Sequence, residues 1–130
     1  MHHAKRDKMR KSLKSASVIA ALLAVPVSAM AHAYPAHETP PSGAVLKLLP
    51  GEVSINFTET VNRHFSGIVV QGPNGKQVSH GEATLEHNNP KTLIIHLRRS
   101  NRAGRYTVLW HALASDGHRT HGRYSFRVTP

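Results

Sequence analysis

The 130-residue chain has no cysteine, so neither a disulfide framework nor a thiolate metal site can be built from it. Methionine is nearly as scarce. Its three copies, Met1, Met9 and Met30, all fall at the start, and nothing after Met30 carries sulfur. Any metal site beyond that point must use nitrogen and oxygen donors, because the soft ligands are missing. Acids are few, seven against 17 Lys and Arg. Aromatics are few as well, and no basic platform is interleaved with them, which makes nucleic acid a poor partner. No apolar run approaches the ~20 residues that a membrane-spanning helix needs. No 3.6-residue hydrophobic stripe marks a helix after the first 31 residues.

The start of the chain reads as an export signal. Lys5, Arg6, Lys8, Arg10, Lys11 and Lys14 precede a ten-residue apolar run, Val18 to Val27, and Ala29-Met30-Ala31 is an A-x-A cleavage motif. Residues 1–31 are therefore expected to be a cleaved signal peptide, and residues 32–130 the mature domain. A second A-x-A, Ala31-His32-Ala33, leaves a cut before Tyr34 as the alternative. The leader holds six of the 17 basic residues and one of the seven acids, so the net charge falls from +10 to +5 on its removal. What remains is 99 residues, enough for one domain with a real core.

What the mature chain does have is histidine, nine of the 11 in the sequence, and strand patterning. Val53, Ile55 and Phe57 alternate with polar residues, as do Leu93, Ile95 and Leu97, then Tyr106, Val108 and Trp110. Asn74-Gly75 is a hairpin signal. Lys76 to His80 and Ala83 to His87 read as two weak strands, and Asn88-Asn89-Pro90 as a break before a strand at Thr92. Arg123 to Val128 closes the chain as a last strand. The Pro-rich segment from Ala33 to Gly51 suits an edge strand and loop. Short strands at this spacing predict an all-β, antiparallel Greek-key sandwich or barrel, with Trp110, Phe57, Phe126 and Tyr124 in its core.

The candidate chemistry sits at two places far apart in sequence. Cleavage after Ala31 makes His32 the first residue, offering an α-amine and an imidazole together. The loop Ser115 to Gly122, S-D-G-H-R-T-H-G, offers Asp116 and His118, with His121 nearby. A sandwich gathers its loops at its two ends, so this loop can meet the N-terminus. Three nitrogens and one oxygen in a near-plane is a donor set that Cu(II) prefers. Set against that, Asp116-Gly117 is also good turn chemistry with no ligand in view. The remaining histidines read as surface or strand-face residues. His64 and His96 are a candidate weak secondary pair that nothing in their spacing demands.

From His32 onward the sequence resembles the CopC family of periplasmic copper-binding proteins. The matching stretches are A-H-A at the cleavage junction, T-P-P-S-G-A (Thr39 to Ala44), I-N-F-T-E (Ile55 to Glu59) and H-F-S-G (His64 to Gly67). A-G-R-Y-T-V-L-W (Ala103 to Trp110), S-D-G-H (Ser115 to His118) and G-R-Y-S-F-R-V (Gly122 to Val128) complete them in order. The resemblance implies one Cu(II) ion held by His32, Asp116 and His118, with Glu59 close by as a supporting carboxylate. It also implies a periplasmic, monomeric and non-catalytic protein of copper homeostasis or resistance, one that sequesters Cu(II) or passes it to an inner-membrane transporter of the CopD type. Many members carry a Met-rich Cu(I) segment; the corresponding stretch here, Ile68 to Leu85, has no Met, which points to the Cu(II)-only variety.

A rival function comes from a different class. An N-terminal histidine chelate plus a second histidine is also the copper centre of lytic polysaccharide monooxygenases. A carboxylate ligand and Glu59 would crowd the positions that oxygen needs there. The chain also shows no flat aromatic face for polysaccharide. A metal-free adhesion sandwich is the third reading, and it gives no reason for His32, Asp116 and His118 to fall where they do.

Overall fold

The structure is a computed structural model and describes residues 32–130; the expected leader, 1–31, lies outside the described residues. Eight strands follow in order: β1 (Pro35–Thr39), β2 (Val45–Leu46), β3 (Glu52–Phe57), β4 (Gly67–Gln71), β5 (Ser79–Glu86), β6 (Asn89–Leu97), β7 (Gly104–Leu113) and β8 (Arg119–Val128). They form two four-stranded sheets, β1-β3-β6-β5 and β2-β8-β7-β4. The only helical element among the described residues is one 3-10 turn, Arg63–Phe65, capped by Asn62 Oδ1 accepting from the His64 N–H. The expected β sandwich is the observed one.

Strand alternation does the sorting. Val53, Ile55 and Phe57 face Leu93, Ile95 and Leu97 from the same sheet, and all are buried. Tyr106, Val108, Trp110, Tyr124, Phe126 and Val128 close over them from the second sheet. Tyr106 stacks on Phe126 at 5.6 Å between centroids, and Phe57 meets Trp110 edge-on at 5.4 Å. Both geometries suit the aromatic quadrupole.

Three local expectations needed correction. The two weak strands read between Lys76 and His87 are one strand, β5, with a register irregularity between His80 and Thr84. Gly72 to Gly75 does turn the chain, but pairing beyond it is one isolated bridge, Gln71 with Gln77, before the chain crosses to the other sheet. Pro90 does not break the chain either. Strand β6 begins at Asn89, and the Pro90 carbonyl accepts from the Val61 N–H at 3.1 Å. The ladder between β6 and β3 starts only at Thr92, so no sheet bond is lost where Pro90 lacks its donor. One pairing also departs from the antiparallel rule, because β2 runs parallel to β8.

A close approach fixes the aromatic floor at one end. A Cβ on Gly122 would lie 2.7 Å from Trp110 Cζ2, so the indole rests directly on the β8 backbone. Gly122→Ala is therefore expected to destabilise the domain by about 1–3 kcal/mol through overpacking. A thermal melt should show this as a fall of several degrees or more; an unchanged midpoint would mean the indole repacks freely.

Candidate metal centre

The N-terminal segment is clamped across the end of the sandwich by one threonine from each sheet's chain. Thr58, just past β3, donates its hydroxyl to the His32 carbonyl at 3.1 Å and accepts from the Tyr34 N–H at 3.1 Å. Its own N–H donates to the Tyr34 carbonyl at 2.8 Å. Thr120, on β8, donates its hydroxyl to the Ala33 carbonyl at 2.6 Å, and Ala33 is fully buried. With its own carbonyl and the carbonyl of the next residue both held, His32 is fixed on its C-terminal side, so its side chain leaves the backbone in a defined direction.

The second arm is the hairpin between β7 and β8. The Gly117 N–H donates to the Ala114 carbonyl, and the Ala114 N–H to the His118 carbonyl, each at 2.9 Å. Gly117 takes φ +91°, a left-handed conformation that glycine adopts without steric cost. This tight turn presents Asp116 and His118 on the same side. Asp116 Oδ1 accepts from the His118 N–H at 3.0 Å, and its Oδ2 lies 3.0 Å from His118 Nδ1. That second contact is short but misaligned for a hydrogen bond, and the buried Nδ1 has no hydrogen-bond partner.

The two arms meet. The His32 ring stacks on the His118 ring with centroids 4.6 Å apart and planes 18° from parallel. Tyr34, exposed, stacks on His32 at 6.0 Å. Glu59 is half-buried between two residues that bind the arms: Thr58 holds the N-terminal segment, and the Thr60 carbonyl accepts from the Ser115 N–H at 3.1 Å. His32, Asp116 and His118 are thus at one end of the sandwich, with the Glu59 backbone beside them. His121 stands on β8 opposite His111, next to Thr120, whose side chain turns toward Ala33; strand alternation therefore aims His121 to the outer face. His96 is paired with His80, not with His64.

Electrostatics favour a cation between these groups. The Asp116 carboxyl is held below the usual carboxylate range, first by the His118 backbone N–H; desolvation, the next effect, opposes it, and the His118 side chain and the charge of His32 add smaller pulls downward. A depressed carboxyl contributes its stability above its unfolded value and loses it only as pH falls through the lower folded value. Asp116 therefore keeps its charge to a lower pH than an ordinary carboxyl does. An unpartnered imidazole nitrogen beside a carboxylate oxygen is an arrangement that a proton or a metal cation completes, so the donors fit a metal. The fit is unfinished. No three His, Asp or Glu side chains among the described residues are yet gathered round one point. Stacked rings must open for their nitrogens to converge, and the His32 nitrogen is a peptide nitrogen wherever a residue precedes it.

Thr58 and Thr120 had no role in the sequence reading, and Tyr34 entered it only as the alternative cleavage point. The only hint was that Thr58 and Thr120 are polar residues adjoining strand ends; their partners lie 26 and 87 residues away.

Known proteins share the fold and much of the sequence. The CopC domain family matches residues 36–129. Protein YobA of Escherichia coli K12 is 36% identical over 118 residues, which cover 91% of this chain and 95% of that protein. Copper resistance protein C of Escherichia coli is 31% identical, over 82% of this chain and 89% of its own length. Copper transport protein CutJ of Bacillus subtilis is 29% identical over 82% of this chain but only 20% of its own. Among solved structures, CopC from Methylosinus trichosporium OB3b superposes with a TM-score of 0.70 at 27% identity, covering 76% of this chain and 95% of that one. PcoC, described as a methionine-rich copper resistance protein of Escherichia coli, superposes with a TM-score of 0.65, also at 27% identity, covering 76% of this chain and all of its own.

Proposed function

The chain belongs to the CopC domain family, and from that premise we propose that it is an exported copper-binding protein, cleaved after Ala31, that holds one Cu(II) ion in the periplasm. The His32 amine and ring, Asp116 and His118 supply the donors, with Glu59 alongside as an unligated carboxylate. Like the relatives named for copper resistance and copper transport, the chain has a copper-related role. It sequesters the ion or hands it to an inner-membrane transporter of the CopD type, acting as a monomer and without catalysis. CutJ supports the delivery branch, because a stretch like this one occupies a fifth of a longer protein named for copper transport.

The observation that carries the reading is the stacking of His32 on His118 while Asp116 sits 3.0 Å from the buried, unpartnered His118 Nδ1. Those groups come from opposite ends of the chain, and no core packing requires two imidazoles and a carboxylate there. A titration of Cu(II) into protein starting at His32 should give one tight equivalent. His118→Ala should weaken it by upwards of about 100-fold, more than the loss of a supporting group outside the ligand set costs. Unchanged affinity in that variant would remove the site. The rival reading, an oxidative enzyme, predicts sustained oxygen consumption with a reductant in the same sample; a carrier shows stoichiometric binding and little turnover.

A further inference from the structure

Far from that end, three side chains of ligand type fall in one row across the outer face of the other sheet. Glu52 on β3 is registered with His96 on β6, and His96 with His80 on β5. Their neighbours Val53, Ile95, Leu97 and Ser79 are buried, so alternation turns all three outward, where they are exposed. Glu52 Oε2 lies 3.9 Å from His96 Nδ1, and the His96 and His80 rings have centroids 6.3 Å apart. Along β3, Glu52 is five residues from Phe57, roughly 17 Å at the strand rise, from the His32 end of the sandwich.

The row is held in place by its backbone. Ser79, the residue before His80, is buried, and its hydroxyl accepts from the Val70 N–H at 3.0 Å. The Ser79 carbonyl accepts from Gln77 Nε2 at 3.1 Å. Gly81 follows at φ +74°, and the irregularity of β5 begins there. An irregularity of this kind re-aims the strand beyond it, so His80 is the last β5 residue in register with this part of β6.

We propose that Glu52, His80 and His96 form a second divalent-metal site, taking Cu(II) and, less tightly, Zn(II). Directly opposed cross-strand residues have Cβ atoms about 4.5–5.5 Å apart, a span that two imidazoles can bridge onto one ion at about 2.0–2.1 Å per bond. The three donors do not yet surround one point. All three residues are exposed on the sheet's outer face, so convergence asks for rotamer changes and no movement of the sheet. Two imidazoles and a carboxylate are a borderline donor set, for which Cu(II) stands above Zn(II). Arg98, two residues beyond His96, sets a positive charge near the row; the Glu52 carboxylate opposes it. Solvent exposure makes this the weaker of the two sites, and its existence does not depend on the one at His32.

The test uses protein starting at His32, titrated calorimetrically with Cu(II) and separately with Zn(II). Wild type should take a second, weaker Cu(II) equivalent that broadens amide resonances around residues 52, 80 and 96. His80→Asn and His96→Asn should each weaken that equivalent at least tenfold and leave the first unchanged, with thermal midpoints at the wild-type value. Glu52→Gln, an independent arm, should weaken it less. His118→Ala should remove the first equivalent and keep the second. The proposal is overturned if no second equivalent appears, if it survives both histidine substitutions, or if Zn(II) binding ignores them. Loss of the first equivalent's dependence on His118 would count against the His32 site alone.

Discussion

Protein carrying one extra residue before His32 is expected to bind Cu(II) at least as weakly as His118→Ala does, with its fold intact. The extension leaves the His32 imidazole, its stacking on His118 and both threonine clamps in place. What it removes is the amine, because a peptide nitrogen holds its proton near neutral pH and is a poor donor. The chelate formed by one residue supplying two nitrogens disappears, so the loss should reach about 100-fold or more, beyond what outer groups contribute. Acid should act in the same direction on protein starting at His32, since amine and imidazole nitrogens must be free of protons before the metal enters. Asp116, held below the usual carboxylate range, should keep its charge throughout that fall. Side-by-side titrations with a competing chelator decide the matter. Equal affinities would make His32 a bystander.

The preference between oxidation states should be as large. Cu(II) is expected to bind tighter than Cu(I) by orders of magnitude, because imidazole, amine and carboxylate are the donors on offer and sulfur is absent after Met30. PcoC, a solved structure of the same fold, is described as methionine rich. This chain has kept the architecture without that ligand chemistry. Titrations with chelators selective for each state give the comparison directly. A Cu(I) affinity equal to that for Cu(II) would show that histidines alone, His80 and His96 among them, can satisfy the softer ion.

The fold was legible because its strands are half-buried and therefore alternate. Val53, Ile55 and Phe57, or Tyr106, Val108 and Trp110, carry their address in a two-residue period. Where burial is not periodic the reading failed. Val45–Leu46 is too short to show any pattern, so its parallel pairing with β8 was invisible. Pro90 looked like a stop, because whether its missing donor matters depends on a neighbour ladder that begins at Thr92. The site divides in the same way. His32, Asp116 and His118 could be named from residue type and chain position, whereas the Tyr34 stacking and the Thr58 and Thr120 clamps are long-range contacts with no local signature. The Glu52-His96-His80 row depends on register, which pattern alone did not supply across β5 and its irregularity at Gly81.

On the proposed cleavage after Ala31, the double clamp on the N-terminal segment also implies an order of events during export. A peptidase that cuts between Ala31 and His32 needs several residues on both sides of the bond as an open, extended strand. Once the domain has folded, the His32 carbonyl is engaged by Thr58, and Ala33 is fully buried with its carbonyl engaged by Thr120. The bond to be cut then adjoins chain that is no longer available. Cleavage at the proposed bond would therefore have to precede the docking of this segment. The free amine would then be made first, on an unfolded substrate, and folding would carry it to its partners. On that reading, a chain that folded too early would close off the proposed cleavage site.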